Sequence, residues 1–257
     1  MLSRYRPRVR RARFACMAYR SKRIKAAPGT VIVSPTATMS GRNRLRNAAL
    51  DVATLPVVLA GPRVSPDIVD GPVPLHYGFR RWAWRSERAL EIALAQRAVA
   101  DFANDEILEV GNVLAFAGRT GHTVVDKYEL GAGVLNVDIL DYAPGRRFGL
   151  VVSISTLEHI GWDEEPQEPA KAAAALQIMA DLGDALLVTM PVGYHRELER
   201  AFIDGPFSSV ALAVRTSRRC HWVKRPLSEV PGIQYGHPYP FGNGILVGTR
   251  ARPEIAT

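Results

Sequence analysis

From about residue 84 onward, apolar residues arrive in short, regularly spaced runs. Ile107–Val110, Thr123–Val125, Val134–Val137, Leu150–Ile154, Ala185–Thr189, Val210–Val214 and Ile245–Val247 are each a few residues long and rich in Val, Ile and Leu. Uninterrupted runs of this kind predict strands buried on both faces, as in a parallel sheet. Ahead of the first run, Leu90, Leu94, Ala98 and Phe102 recur four apart behind Ser86, which predicts a capped helix. Between the fourth and fifth runs, Pro169 opens a second helix whose Ala172, Ala175, Leu176, Met179 and Leu182 keep the 3.6 spacing. Strands alternating with helices predict an α/β domain over 84–257, built on a doubly wound, mostly parallel, seven-stranded sheet.

The chain before residue 84 reads differently. Residues 28–83 carry Pro28, Pro35, Pro56, Pro62, Pro66, Pro72 and Pro74 and little periodicity, so they read as a connector or partial cap with one helix near 43–54. Residues 1–27 form a basic, loosely structured arm. The first 50 residues hold 13 of the 33 Lys and Arg and no Asp or Glu, so the rest of the chain carries a net charge of −5. The overall charge of +8 therefore belongs to an arm on a mildly acidic body, and does not make the whole protein a nucleic-acid binder. The arm reads as a solvated tail or as a peripheral contact with anionic membrane. Nucleic acid is the weaker partner, because no aromatic stacking pattern accompanies the arginines. Translation from Met17 or Met39 would shorten the arm. It lacks the apolar stretch of a secretory signal, so export is not expected. Cys16 and Cys220 have no CxxC spacing, which makes a reducing cytoplasm the default and a cysteine zinc site improbable. With 47% hydrophobic and 23% charged residues, the chain has the composition of a globular protein with a full core.

In doubly wound sheets ligands sit beyond the carboxyl ends of the strands. The first strand ends in Glu109-Val110-Gly111-Asn112, a carboxylate expected to point out into the crevice. The second ends in Asp126-Lys127, where an acid can accept ribose hydroxyls. The third gives Asp138-Ile139, an acid for an amino group and a flat apolar side chain for a ring. The fourth gives Ser153-Ile154-Ser155-Thr156-Leu157-Glu158-His159. This series resembles the class I (Rossmann-like) S-adenosylmethionine-dependent methyltransferases over about residues 106–191. The resemblance implies that cofactor, with Glu109 on its methionine part, Asp126 on the ribose, Asp138 on the adenine amino group and Ile139 on the ring face. Gly111, Asn112, Lys127 and Ser153 complete the candidate cofactor-binding set. The glycine-rich turn of the family is degenerate here, since Asn112, Val113, Leu114 and Ala115 follow Gly111. Only eleven residues, 112–122, precede Thr123, so the first crossover helix is expected to be short or missing. A nicotinamide cofactor would want GxGxxG after the first strand; Gly131-Ala132-Gly133 follows the second, where it reads as a turn.

The resemblance implies methyl transfer to an acceptor at the ends of strands four and five. Candidate catalytic residues are His159, as a base or a support of the turn, His195, as a base or a surface residue of the next helix, and Glu158, as an orienter. Metal-dependent members use Glu-x-x-Glu-His, but Ser155 stands at the first glutamate, so no metal is expected. Base-amino methylation would want D/N-P-P-Y/F after strand four, and cytosine methylation a nearby cysteine; neither is present. Arg80, Arg81, Trp82, Trp84 and Arg85 form no nucleic-acid module and either close the pocket or pack the first helix. A small-molecule or glycan acceptor, methylated on oxygen, remains. The alternative is a degenerate methyltransferase fold serving as a binding or scaffold subunit.

Overall fold

The computed structural model describes residues 56, 63–77, 83 and 86–252. The arm with Cys16, the helix expected near 43–54, and Arg80, Arg81, Trp82, Trp84 and Arg85 lie outside the described residues.

The chain runs α1 (Arg88–Ala98), β1 (Ile107–Val110), β2 (Thr123–Val125), β3 (Val134–Leu135), β4 (Phe148–Ile154), α2 (Ala170–Leu182), β5 (Gly183–Pro191), α3 (Arg196–Ile203), β6 (Ser209–Arg215), β7 (Trp222–Arg225) and β8 (Gly244–Arg250). The strands form one sheet in the order β3-β2-β1-β4-β5-β8-β6-β7. The first five pair in parallel, and β8 runs antiparallel between β5 and β6. The strand order reverses between β1 and β4, which is where a doubly wound sheet opens its crevice.

Each of the seven expected runs falls on a strand. The sheet nevertheless has eight strands among the described residues, because β7 adds itself antiparallel to β6 at the edge. Only Trp222 of β7 is buried, and Lys224 and Arg225 are exposed. Charged side chains of this kind protect an edge from further pairing, and they hide the strand from a search for apolar runs.

Side chains alternate between two cores. Leu150, Val152 and Ile154 of β4 and Leu187 of β5 pack with Leu90, Ile92 and Leu94 of α1. Val151, Leu186 and Val188 pack on the opposite face against Leu176 and Met179 of α2 and Leu198 and Phe202 of α3. The Ser86 hydroxyl accepts the Arg88 amide at 3.3 Å, but the N-cap position falls on Glu87, whose side chain makes no cap hydrogen bond. The helix is shorter than its apolar spacing suggests: Val99–Asp101 tighten into a 3₁₀ turn and Phe102 is extended. The turn-forming stretch that follows, Asp101 to Asp105, competes with helix continuation. The β1–β2 crossover is reduced to one 3₁₀ turn, Leu114–Ala117, as its length requires. Residues 63–77 pack on α1: Ile68 and Val73 are fully buried, and the His76 amide donates to the Ala89 carbonyl at 2.9 Å.

Candidate functional site

Glu109, Asp126 and Asp138 lie at or just beyond the carboxyl ends of three adjacent strands, on one edge of the sheet. Their side chains, however, are already engaged. Glu109 does not reach into the crevice. It is fully buried, and its Oε1 accepts the Val113 and Leu114 amides at 2.7 and 2.9 Å. Its Oε2 meets His122 Nε2 at 2.8 Å. A carboxylate between two flanking strands survives burial only if donors reach it, and the β1 loop folds back to supply them. Glu109 thus shapes the loop in place of a direct ligand contact. Gly111 has a φ of +91°, and a Cβ there would collide with Thr156 Oγ1. Glycine is required at this point by a side chain of the β4 turn. Asn112 donates to Glu129 Oε1 at 2.8 Å. Ser153 is fully buried and donates to the Val110 carbonyl at 3.1 Å, a strut between β1 and β4 with no face toward a ligand.

Asp126 accepts the Tyr128 and Glu129 amides on Oδ1 at 2.8 and 2.7 Å, and among the described residues no donor reaches Oδ2. Lys127 lies between Asp138 Oδ2 and Glu164 Oε1, both at 2.9 Å. Asp138 Oδ1 accepts the Leu140 amide at 3.1 Å. Burial alone would raise the Asp138 pKa, but the Lys127 ammonium and that amide outweigh it and hold the carboxyl below its usual range. Both oxygens expected to face an adenine amino group are therefore occupied. Ile139 is not an open ring platform either, being packed in the core beside Val110 and Val125.

The ends of β4 and β5 hold a denser group of polar side chains. His159 is 36% exposed, with Nδ1 2.7 Å from Asp163 Oδ2 and Nε2 3.6 Å from Glu158 Oε1. Burial pulls its pKa down, yet the Glu158 and Asp163 carboxylates raise it above the ordinary value. Glu158 is 1% exposed, and its desolvation raises its pKa. Tyr194 donates its hydroxyl to the same Asp163 oxygen at 2.8 Å and meets the His159 ring edge-on at 5.0 Å. His195 is not the surface residue or accessible base expected. Its ring is fully buried, stacked on Trp162 at 4.4 Å, and among the described residues neither nitrogen has a hydrogen-bond partner. Desolvation lowers its pKa.

Beneath this group lies Glu91 of α1, which the periodicity passed over. It is fully buried; Oε1 accepts the Ser155 hydroxyl and, at 2.9 Å, that of Thr189, while Oε2 lies 3.5 Å from Arg88. Arg88 donates to the Ile154 and Ser155 carbonyls at 2.7 and 3.2 Å. Ser155 is held in a left-handed conformation, φ +38°, where these contacts converge. The signal in the sequence was a glutamate inside the apolar stretch Leu90–Leu94 of a helix buried on nearly every side. Among the described residues, no group of three His, Cys, Asp or Glu side chains is arranged to hold a metal ion.

With this geometry in view, the strand order decides the architecture. The fold is a doubly wound, mostly parallel α/β sheet with one strand, β8, inserted antiparallel and one added edge strand. No protein-family model matches the chain, and a search of the curated proteins finds no match. Among solved structures it is similar to the N-methyltransferase NodS from Bradyrhizobium japonicum WM9 in complex with S-adenosyl-L-homocysteine, at 14% identity over 65% of this chain and 88% of that one, with a TM-score of 0.42. It is also similar to magnesium protoporphyrin IX methyltransferase (ChlM) from Synechocystis PCC 6803 with bound SAM, at 14% identity over 62% and 76% of the two chains, TM-score 0.35. The 16S rRNA methylase RmtB matches at 13% identity over 64% of each chain, TM-score 0.34.

Proposed function

We propose that this chain is an S-adenosylmethionine-dependent methyltransferase that methylates a hydroxyl of a small-molecule or glycan acceptor. The observation that carries the reading is the adjacency of the ends of β2, β1, β4 and β5, which puts Asp126, Gly111 and the Glu158–His159 turn on one crevice. The fit of the cofactor differs along its length. Asp126 keeps Oδ2 for a ribose hydroxyl. Beyond the ribose, Lys127 has to release Asp138, and Thr156 has to withdraw from Gly111.

When bound, the cofactor supplies an electrophilic methyl group on sulfonium sulfur. The chain's own part is to hold the acceptor hydroxyl in line and take its proton, the first of which accounts for much of the acceleration. His159 is suited to the second task, because Asp163 occupies Nδ1 and leaves Nε2 as the basic nitrogen. Its 36% exposure lets an acceptor approach. Glu158 lies too far for a hydrogen bond to Nε2 and acts as a neighbouring charge.

A degenerate fold acting as a binding or scaffold subunit is the second reading, favoured by the Thr156 packing on Gly111 and the closed environment of Glu109. Calorimetry of the full chain with S-adenosylhomocysteine separates the two. We expect binding, weakened by about 2 kcal/mol in Asp126→Ala through loss of one charge-assisted hydrogen bond. No heat of binding to the intact protein rejects the enzyme in favour of the scaffold.

A further inference from the structure

The Asp163 carboxylate lies between two donors. One of its oxygens, Oδ2, is 2.7 Å from His159 Nδ1 and 2.8 Å from the Tyr194 hydroxyl. The three residues come from two different strand ends. His159 and Asp163 follow β4, four residues apart, and Tyr194 follows β5. The edge-on contact of the Tyr194 ring with His159, and of the Tyr235 ring with Tyr194 at 5.2 Å, fixes the directions in which these groups point. Asp163 is itself 46% exposed; partial burial acts to raise its pKa, but the hydrogen bonds from His159 and Tyr194 outweigh it and hold the carboxyl below its usual range.

We infer that Asp163 and Tyr194 are a pair of opposed positioning residues that set the tautomer and the proton affinity of His159. The inference rests on His159 as the acceptor-side base, and its chemistry is local. An aspartate accepting the Nδ1 proton holds the neutral ring as the Nδ1–H tautomer and stabilises the imidazolium once Nε2 takes a proton. Tyr194 works against this. By donating to the same oxygen it draws off part of the negative charge that Nδ1–H would otherwise receive. The base is strengthened by one neighbour and trimmed by the other.

Every charged group facing the imidazole enters the balance. Glu158, from the same turn, raises its proton affinity, and Arg88, from α1, lowers it. Substitutions at 163 and 194 leave both of these groups in place. His195 lies near enough to Asp163 to favour its charged form. Its own pKa is lowered by burial, against the opposing charges of Glu197 and Asp163.

The test is the titration of His159 in the full chain, followed by NMR of its imidazole nitrogens in wild type, Asp163→Asn, Asp163→Glu and Tyr194→Phe. In wild type, Nδ1 should carry the proton of the neutral ring, and the midpoint should lie above the ordinary 6.5. Losing an adjacent opposite charge moves a pKa by about one unit or more, so Asp163→Asn should lower the midpoint by about one pH unit and scramble the tautomer. Tyr194→Phe should raise it, and Asp163→Glu should restore most of the wild-type value. A role confined to packing would move both variants the same way or leave the midpoint fixed. Either result overturns the inference, as does a wild-type ring protonated on Nε2. Calorimetry with S-adenosylhomocysteine on the same samples keeps the two readings distinct. Absence of binding removes the methyl-transfer reading, whereas an unmoved His159 midpoint removes the positioning pair.

Discussion

Replacing Glu91 with glutamine should remove a large part of the pH dependence of stability. Glu91 is fully buried, and its desolvation, with like charge from Glu87 and Glu158, outweighs the attraction of Arg88 and the Ser155 hydrogen bond. The carboxyl is thereby pushed up to about 7 from an ordinary 4.5. Between those values the folded chain holds a proton that the unfolded chain has released. Folding therefore binds protons, and stability falls as pH rises through the window. A gap of about 2.5 pH units corresponds to roughly 3 kcal/mol. Glu91→Gln keeps the volume and the oxygen that accepts the Ser155 and Thr189 hydroxyls, and removes the titration. Urea unfolding followed by tryptophan fluorescence should find the two proteins within about 1 kcal/mol near pH 4.5, and the variant more stable by about 2–3 kcal/mol at pH 8. Glu158 is raised in the same direction and interacts with Glu91, so the difference between the two proteins also includes the change that losing Glu91 makes in the Glu158 titration. A variant-to-wild-type offset constant across the range would refute the reasoning.

Gly111→Ala should destabilise the chain by at least about 1–2 kcal/mol, since it combines a left-handed backbone with a Cβ driven into Thr156. Adding Thr156→Ala should recover only the steric share, which chemical denaturation of the single and double variants measures. Lys127→Met should free Asp138 Oδ2 and tighten S-adenosylhomocysteine binding several-fold by calorimetry; unchanged or weaker binding would show that the lysine does not compete with the cofactor. Deleting residues 1–27 should abolish any association with anionic liposomes that weakens as salt rises from about 50 to 200 mM, because screening acts on the arm's charges. Retained binding by the truncated chain would place the contact elsewhere.

The sheet was legible because its central strands β1, β4 and β5 are buried on both faces, and so appear as unbroken apolar runs. Trp222–Arg225 escaped for the converse reason, since an edge strand with Lys224 and Arg225 turned to solvent has no such run. The positions of Glu109, Asp126 and Asp138 were legible too, because strand ends follow directly from strand order. The directions of their side chains were not. Whether a carboxylate at a strand end faces ligand or protein depends on which donors the fold delivers to it. For Glu109 these are the Val113 and Leu114 amides and His122, thirteen residues away; for Asp138, it is Lys127 from the neighbouring strand end. Glu91 was harder still, because its partners Ser155 and Thr189 lie 64 and 98 residues further along the chain, and no spacing rule connects them.

The distribution of satisfied and unsatisfied groups bears on the proposed placing of the acceptor. Glu109, Ser153 and Asp138, on the β1–β4 side, have donors or acceptors for the groups they bury. Around the ends of β4 and β5, Glu91 Oε2, Glu158 Oε2 and both nitrogens of His195 are buried without a hydrogen-bond partner among the described residues, as are Arg119 Nε and His122 Nδ1 beside β2 and Trp222 Nε1 on β7. Each such atom carries a desolvation penalty of about 1–3 kcal/mol. A fold selected for stability alone would have removed them, since apolar residues of the same shape lift the penalty. Four of the seven lie around the partly exposed His159, together with the strained Ser155, which supports the proposed placing of the acceptor at that end of the sheet. Under that proposal Glu109, with both oxygens engaged, belongs to the frame of the site and Glu158, with Oε2 unpartnered among the described residues, to the acceptor side, although both are buried glutamates at strand ends.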